Sequence, residues 1–90
     1  MPKKSVFSAA YRALLHELRA ARNAAHLTQQ ELGSRVGMSQ TDVSKFESGE
    51  RRLDLVEFLM IARAVGADPH SIIQTVERAQ RASNRGSSRT

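Results

Sequence analysis

Two short amphipathic segments with almost nothing between them constrain this chain more than any other feature. One opens at Thr28, the other at Ser39, and the link between them centres on Gly37-Met38. Thr28 stands three residues before Glu31, the spacing of a capping box, in which hydroxyl and carboxylate each satisfy a backbone N–H of the first turn. Ser39 is a second cap, and Asp42 follows it near the positive end of the helix dipole. Gly37 takes up a left-handed backbone at little steric cost, which suits the end of a helix. Two helices joined by so short a link must turn sharply. Leu32, Val36, Met38, Val43 and Phe46 then meet in one small core between them, while Gln40, Thr41, Ser44 and Lys45 point away from it.

Helical periodicity extends over the rest of the chain, and no stretch alternates with the period of a strand. The spacing predicts five helices. The first covers about Ser8 to Ala25, with Tyr11, Leu14, Leu15, Leu18, Ala21 and Ala25 on one stripe. The fourth follows Asp54, with Glu57 as its box partner. Leu55, Phe58, Leu59, Ala62 and Val65 are expected to face inward, and Gly66 to end it. Asp68-Pro69 announces the fifth, a cap followed by proline at the first helical position. Ile72, Ile73 and Val76 form its apolar face. Met38 and Met60 read as core filler. Phe7 and Tyr11 either cover the core or meet a partner subunit. The reading is therefore all-α: an N-terminal extension over 1–7, one domain over 8–82, and a basic tail over 83–90 whose composition predicts disorder.

Composition narrows the function. Aromatic residues are 4% of the chain, so the core must be mainly aliphatic. The absence of cysteine excludes disulfides and thiolate metal sites. His16, His26 and His70 lack the spacing of metal ligands, so no metal site is expected, and no cofactor. No Ser-His-Asp arrangement, glycine-rich phosphate loop or carboxylate pair is present, and the chain does not read as an enzyme. A net charge of +5 favours a polyanionic partner. Much of that excess, however, belongs to Arg78, Arg81, Arg85 and Arg89 near the C-terminus. No apolar run approaches the roughly 20 residues that span a bilayer. No secretory leader is evident, and the cytoplasm is the expected location.

The polar face of the third helix has a chemistry of its own. Glutamine can pair with adenine through two hydrogen bonds in the major groove, threonine can bond a base edge or touch the thymine methyl, and lysine can reach guanine acceptors. The N-terminal end of a recognition helix makes most base contacts, which favours Gln40 and Thr41.

The run Leu27-Thr28-Gln29-Gln30-Glu31-Leu32-Gly33, then Val36-Gly37-Met38-Ser39-Gln40, Val43-Ser44, and Phe46 through Arg51 resembles the phage-repressor-like, or XRE, helix-turn-helix family. Ala62, Ala64 and Val65 to Pro69 continue the likeness, which covers about Leu14 to Ile73. It implies a five-helix, lambda-repressor-like fold and a regulator of double-stranded DNA. It also implies residue roles. Gln40, Thr41 and Lys45 read bases. Gln29 anchors a phosphate, and Ser44, Ser48, Arg51 and Arg52 lie near the DNA backbone. Arg22 and Glu47 form a structural ion pair. The family's usual alanine in the second helix is Gly33 here, which still lets the two helices approach closely but lowers helix preference by about 1 kcal/mol.

One recognition helix reads too few bases for useful specificity. A homodimer is therefore expected, probing half-sites about 34 Å apart, with Ile72 and Ile73 as interface candidates. The expected role is repression from an inverted-repeat operator. A controller of a restriction–modification operon and an antitoxin bound to a toxin are the alternatives.

Overall fold

A computed structural model describes residues 8–87, with side chains as far as Ser83. The described residues form five helices: α1 (Ala9–Ala24), α2 (Gln29–Val36), α3 (Gln40–Ser48), α4 (Leu55–Ala64) and α5 (Pro69–Ser87). The expected extension over 1–7, Phe7 included, lies outside the described residues. None of the described helices is long and apolar enough to cross a membrane.

The caps account for where the helices start. The Ser8 hydroxyl accepts from the Tyr11 amide, and the Ser39 hydroxyl from the Asp42 amide, both at 3.0 Å. Complete capping boxes join Thr28 with Glu31 and Asp54 with Glu57. The endings share one geometry. After α2 the chain passes through Gly37 at φ 75°, and the Met38 amide returns to the Gly33 carbonyl at 2.9 Å. This i to i+5 return satisfies a carbonyl that has no partner within the helix. Glu50 closes onto Lys45 and Ala67 onto Ala62 in the same way. At the end of α1 the left-handed residue is His26, at φ 60°, and Leu27 closes onto Arg22. Histidine is among the few residues enriched at that conformation.

The core is mainly aliphatic. Leu18, Leu32, Val43, Phe46 and Ile61 are its fully buried large side chains, and Tyr11, Leu15, Phe58, Val65 and Ile72 complete it. Val36 and Met38 pack against it from the turn. α1 lies along α5, α2 packs on α3, and α4 braces α2 and α5.

Three expectations change. Leu55 is 66% exposed, because it opens α4 on the outer side, whereas Ile61 occupies the core; the buried stripe runs through Phe58, Ile61, Ala62 and Val65. Met60 faces outward rather than filling the core. Helix α5 continues to Ser87, past the expected boundary at Ser83, since an existing helix lengthens without a new nucleation step. Residues 88–90 lie outside the described set.

At Gly33 the expected close approach is present. A β-carbon at that position would run into the carbonyl oxygen of Met38, a backbone atom. The glycine is therefore more than a weak helix former. It lets the turn close onto α2.

Candidate nucleic-acid interface

The exposed stripe of α3 follows from its buried one. Val43 and Phe46 point into the core, so Gln40, Thr41, Lys45 and Ser48 are exposed and Ser44 is half-buried. The steps from Thr41 to Ser44, Lys45 and Ser48 are those of one helical face. The face offers amide, hydroxyl and ammonium groups. Every one of them can donate a hydrogen bond to a base edge or a phosphate.

Behind this face runs a chain of polar contacts across three helices. Arg22 on α1 donates from Nε to Glu47 Oε2 at 2.6 Å and from Nη2 to Oε1 at 3.1 Å. Its Nη1 donates to the Leu27 carbonyl at 2.7 Å. The Arg22 and Glu47 side chains are only 10% and 4% exposed, so each charge depends on the other for solvation. Glu47 Oε1 also accepts from the Gln29 amide at 3.0 Å, and Gln29 Oε1 accepts from the Gln40 amide at 2.8 Å. A buried ion pair thus orients, through Gln29, the first side chain of the helix that meets solvent.

The loop after α3 is held by contacts within the fold. Arg51 forms a two-pronged pair with Glu57, Nη2 to Oε2 at 2.8 Å and Nη1 to Oε1 at 3.3 Å. Its hydrogen bonds, helped by the Asp54 amide, hold the Glu57 carboxyl below its ordinary range, and Glu57 in turn raises Arg51. The Arg52 guanidinium lies 4.2 Å from the centre of the Tyr11 ring, within range of a cation–π contact. The Tyr11 hydroxyl accepts from the Leu53 amide at 3.1 Å. Both arginines are therefore engaged by the fold, because the start of α4 and α1 offer a carboxylate and a ring within reach. Ser48 turns its hydroxyl to the Lys45 carbonyl at 3.1 Å and to Glu50 Oε2 at 3.2 Å.

Residues 13–72 match a family described as a helix-turn-helix domain. A solved structure entitled "XRE-family like protein from Pseudomonas syringae pv. tomato str. DC3000" is 47% identical. The likeness covers 78% of this chain and 85% of that one, with a TM-score of 0.73. The chain belongs to the XRE family of helix-turn-helix proteins. No curated protein matches it.

As an XRE-family protein it is a DNA-binding regulator with α2 and α3 as its helix-turn-helix. Sequence reasoning about this XRE domain missed two structural links. Gln29 bridges Glu47 to Gln40, and no periodicity rule connects a side chain on one helix with two on another. Tyr11 ties α1 to the loop at Leu53, which no local pattern announces.

The interface candidates on the XRE domain separate. Ile72 is buried in the domain's own core, 4% exposed, and reaches the surface only at the floor of an apolar groove, since α5 packs that side on α1. Ile73 is 42% exposed and edges an apolar groove of about 220 Å³ lined also by Leu14, Leu53, Leu55, Phe58 and Val76.

Proposed function

We propose that the protein is a repressor that binds an inverted-repeat operator as a homodimer. Gln40, Thr41 and Lys45 read base edges in the major groove. Gln29, Ser44 and Ser48 hold the flanking phosphates. Arg51 and Arg52 shape the loop between α3 and α4 and add positive charge to it. The observation that carries this reading is the exposed stripe of α3, with Gln40 held in place by Gln29 at 2.8 Å. A side chain fixed before binding presents its donor and acceptor pair with less entropy to lose.

The apolar groove beside Ile73 supports the homodimer. Leu55 and Val56 stand out from the start of α4 next to it, about two-thirds exposed. Exposed apolar clusters rimmed by charge mark association surfaces. A two-fold axis through this cluster sets one copy's Leu55 against the other's groove. Each subunit then contributes one recognition helix.

Selection from random duplex pools at near-physiological salt, followed by sequencing, tests the reading. The expected product is an inverted repeat with half-sites about one helical turn, 34 Å, apart. Enrichment of single half-sites would remove the dimer. Failure of folded protein to enrich any sequence would overturn the regulator, and would favour the antitoxin alternative if a stoichiometric partner co-purifies.

A further inference from the structure

The polar stripe of α3 does not end with that helix. Ser48, its last member, lines a surface groove of about 290 Å³ together with Glu47 and four residues of α1: Arg12, Leu15, His16 and Arg19. Leu15 is buried, whereas Arg12, His16 and Arg19 are exposed. Their spacing places them on one face of α1. A second depression, lined by His16, Arg19, Ala20 and Asn23, continues the same line. Glu47, the acid in the groove, is already bound by Arg22 and Gln29. Neither Arg12 nor Arg19 has a carboxylate partner among the described residues. Among the described residues, α1 thus presents two arginines without a carboxylate partner, next to the end of the polar stripe of α3.

We propose that Arg12 and Arg19 form a phosphate track along which α1 follows the DNA backbone as it leaves the recognition helix at Ser48. The inference rests on the proposed reading of α3 as the DNA-contacting helix. Seven residues separate the two arginines by about 10 Å along α1, far enough for each to meet its own phosphate. Contacts of this kind release counterions and fix register without reading sequence. They add to the charge of Arg51 and Arg52, which contact Glu57 and Tyr11 in the neighbouring loop.

Binding of the wild type, of Arg12→Gln/Arg19→Gln and of Gln40→Ala is to be measured on the selected operator and on an unrelated duplex, from about 50 to about 200 mM salt. The double variant is expected to lose affinity by the same factor on both duplexes. Two lost phosphate contacts flatten its log–log salt slope by about 1.8, so the wild type loses about 12-fold more affinity than the variant over that range. Arg12→Lys/Arg19→Lys keeps the wild-type slope. Gln40→Ala keeps the slope and loses preference for the operator. An unchanged slope in Arg12→Gln/Arg19→Gln, with wild-type circular dichroism, overturns the track and leaves the reading of α3 intact. So does a loss confined to the operator. Wild-type protein that binds neither duplex overturns the reading of α3 itself.

Discussion

At the scale of single residues, Gln40 and Glu47 are two ends of one device. Gln40 stands exposed at the start of α3 and Glu47 is buried against Arg22, with Gln29 between them. Gln40→Ala is expected to weaken operator binding by about 1–3 kcal/mol and to relax the preference at one base position. Titration against single-base operator variants checks this, and equal loss on every sequence would remove the base-reading role. Glu47→Ala leaves the buried guanidinium of Arg22 without its partner, and a loss of about 3–5 kcal/mol in unfolding free energy is expected. Urea denaturation measures it; a loss under about 1 kcal/mol would mean that water replaces the carboxylate. The roles of these residues were legible unequally. The positions of Gln40 and Glu47 came through the motif. The bond from Gln29 to both was not legible, because it depends on how α2 packs on α3.

Among the helices, the capping signals carried most of the information. Thr28 with Glu31 and Asp54 with Glu57 marked the starts of α2 and α4, and Gly37 the sharp turn, because each acts through atoms within a few residues. Facing direction was less legible. Leu55 fits an apolar stripe by spacing, yet at the first position of α4 it has no preceding turn to lie against and turns outward. Gly33 shows a local rule overridden by tertiary contact. Gly33→Ala gains about 1 kcal/mol of helix preference. Its methyl nonetheless meets the Met38 carbonyl, and overpacking of this kind costs about 1–3 kcal/mol. A net fall in melting temperature is expected, and a rise would show that the turn relaxes freely.

The capping carboxylates set a pH dependence at the same scale. Glu31 lies below its ordinary value of 4.5 because the Thr28 backbone and hydroxyl donate to it. Glu57 lies below 4.5 chiefly because Arg51 binds it, with the Asp54 amide second. A carboxylate depressed in the folded state stabilises the fold above its unfolded pKa, and that contribution disappears as pH falls through the folded value. Stability is therefore expected to decline below about pH 4.5. Glu31→Gln/Glu57→Gln should flatten this acid limb in urea midpoints measured across pH, and an unaltered limb would assign the loss to other carboxylates.

For the molecule as a whole, the fold class and helix order were legible, while the surface available for association was not. Ile72 and Ile73 are neighbours in sequence, and the pattern could not say which of them α1 would cover. The contact between α1 and α5 decides it. Ile73→Glu together with Leu55→Glu places two charges in the apolar groove region. The expected outcome is a monomer by sedimentation, still folded, that binds a single half-site more weakly than the wild type binds the full operator. A dimer that survives both substitutions would place the interface elsewhere.

Helices α1 to α4 each close by returning an amide to a carbonyl five residues back. Every chain reversal between them is thus decided within a few residues, and none waits for a distant segment to arrive. Helical domains dominated by such short-range contacts fold in microseconds to milliseconds. A refolding trace with one fast exponential phase is the signature of that topology. Refolding of the five helices would then outpace the search for a binding site, so the delay between dilution from denaturant and occupancy of DNA would be set by encounter rather than by folding.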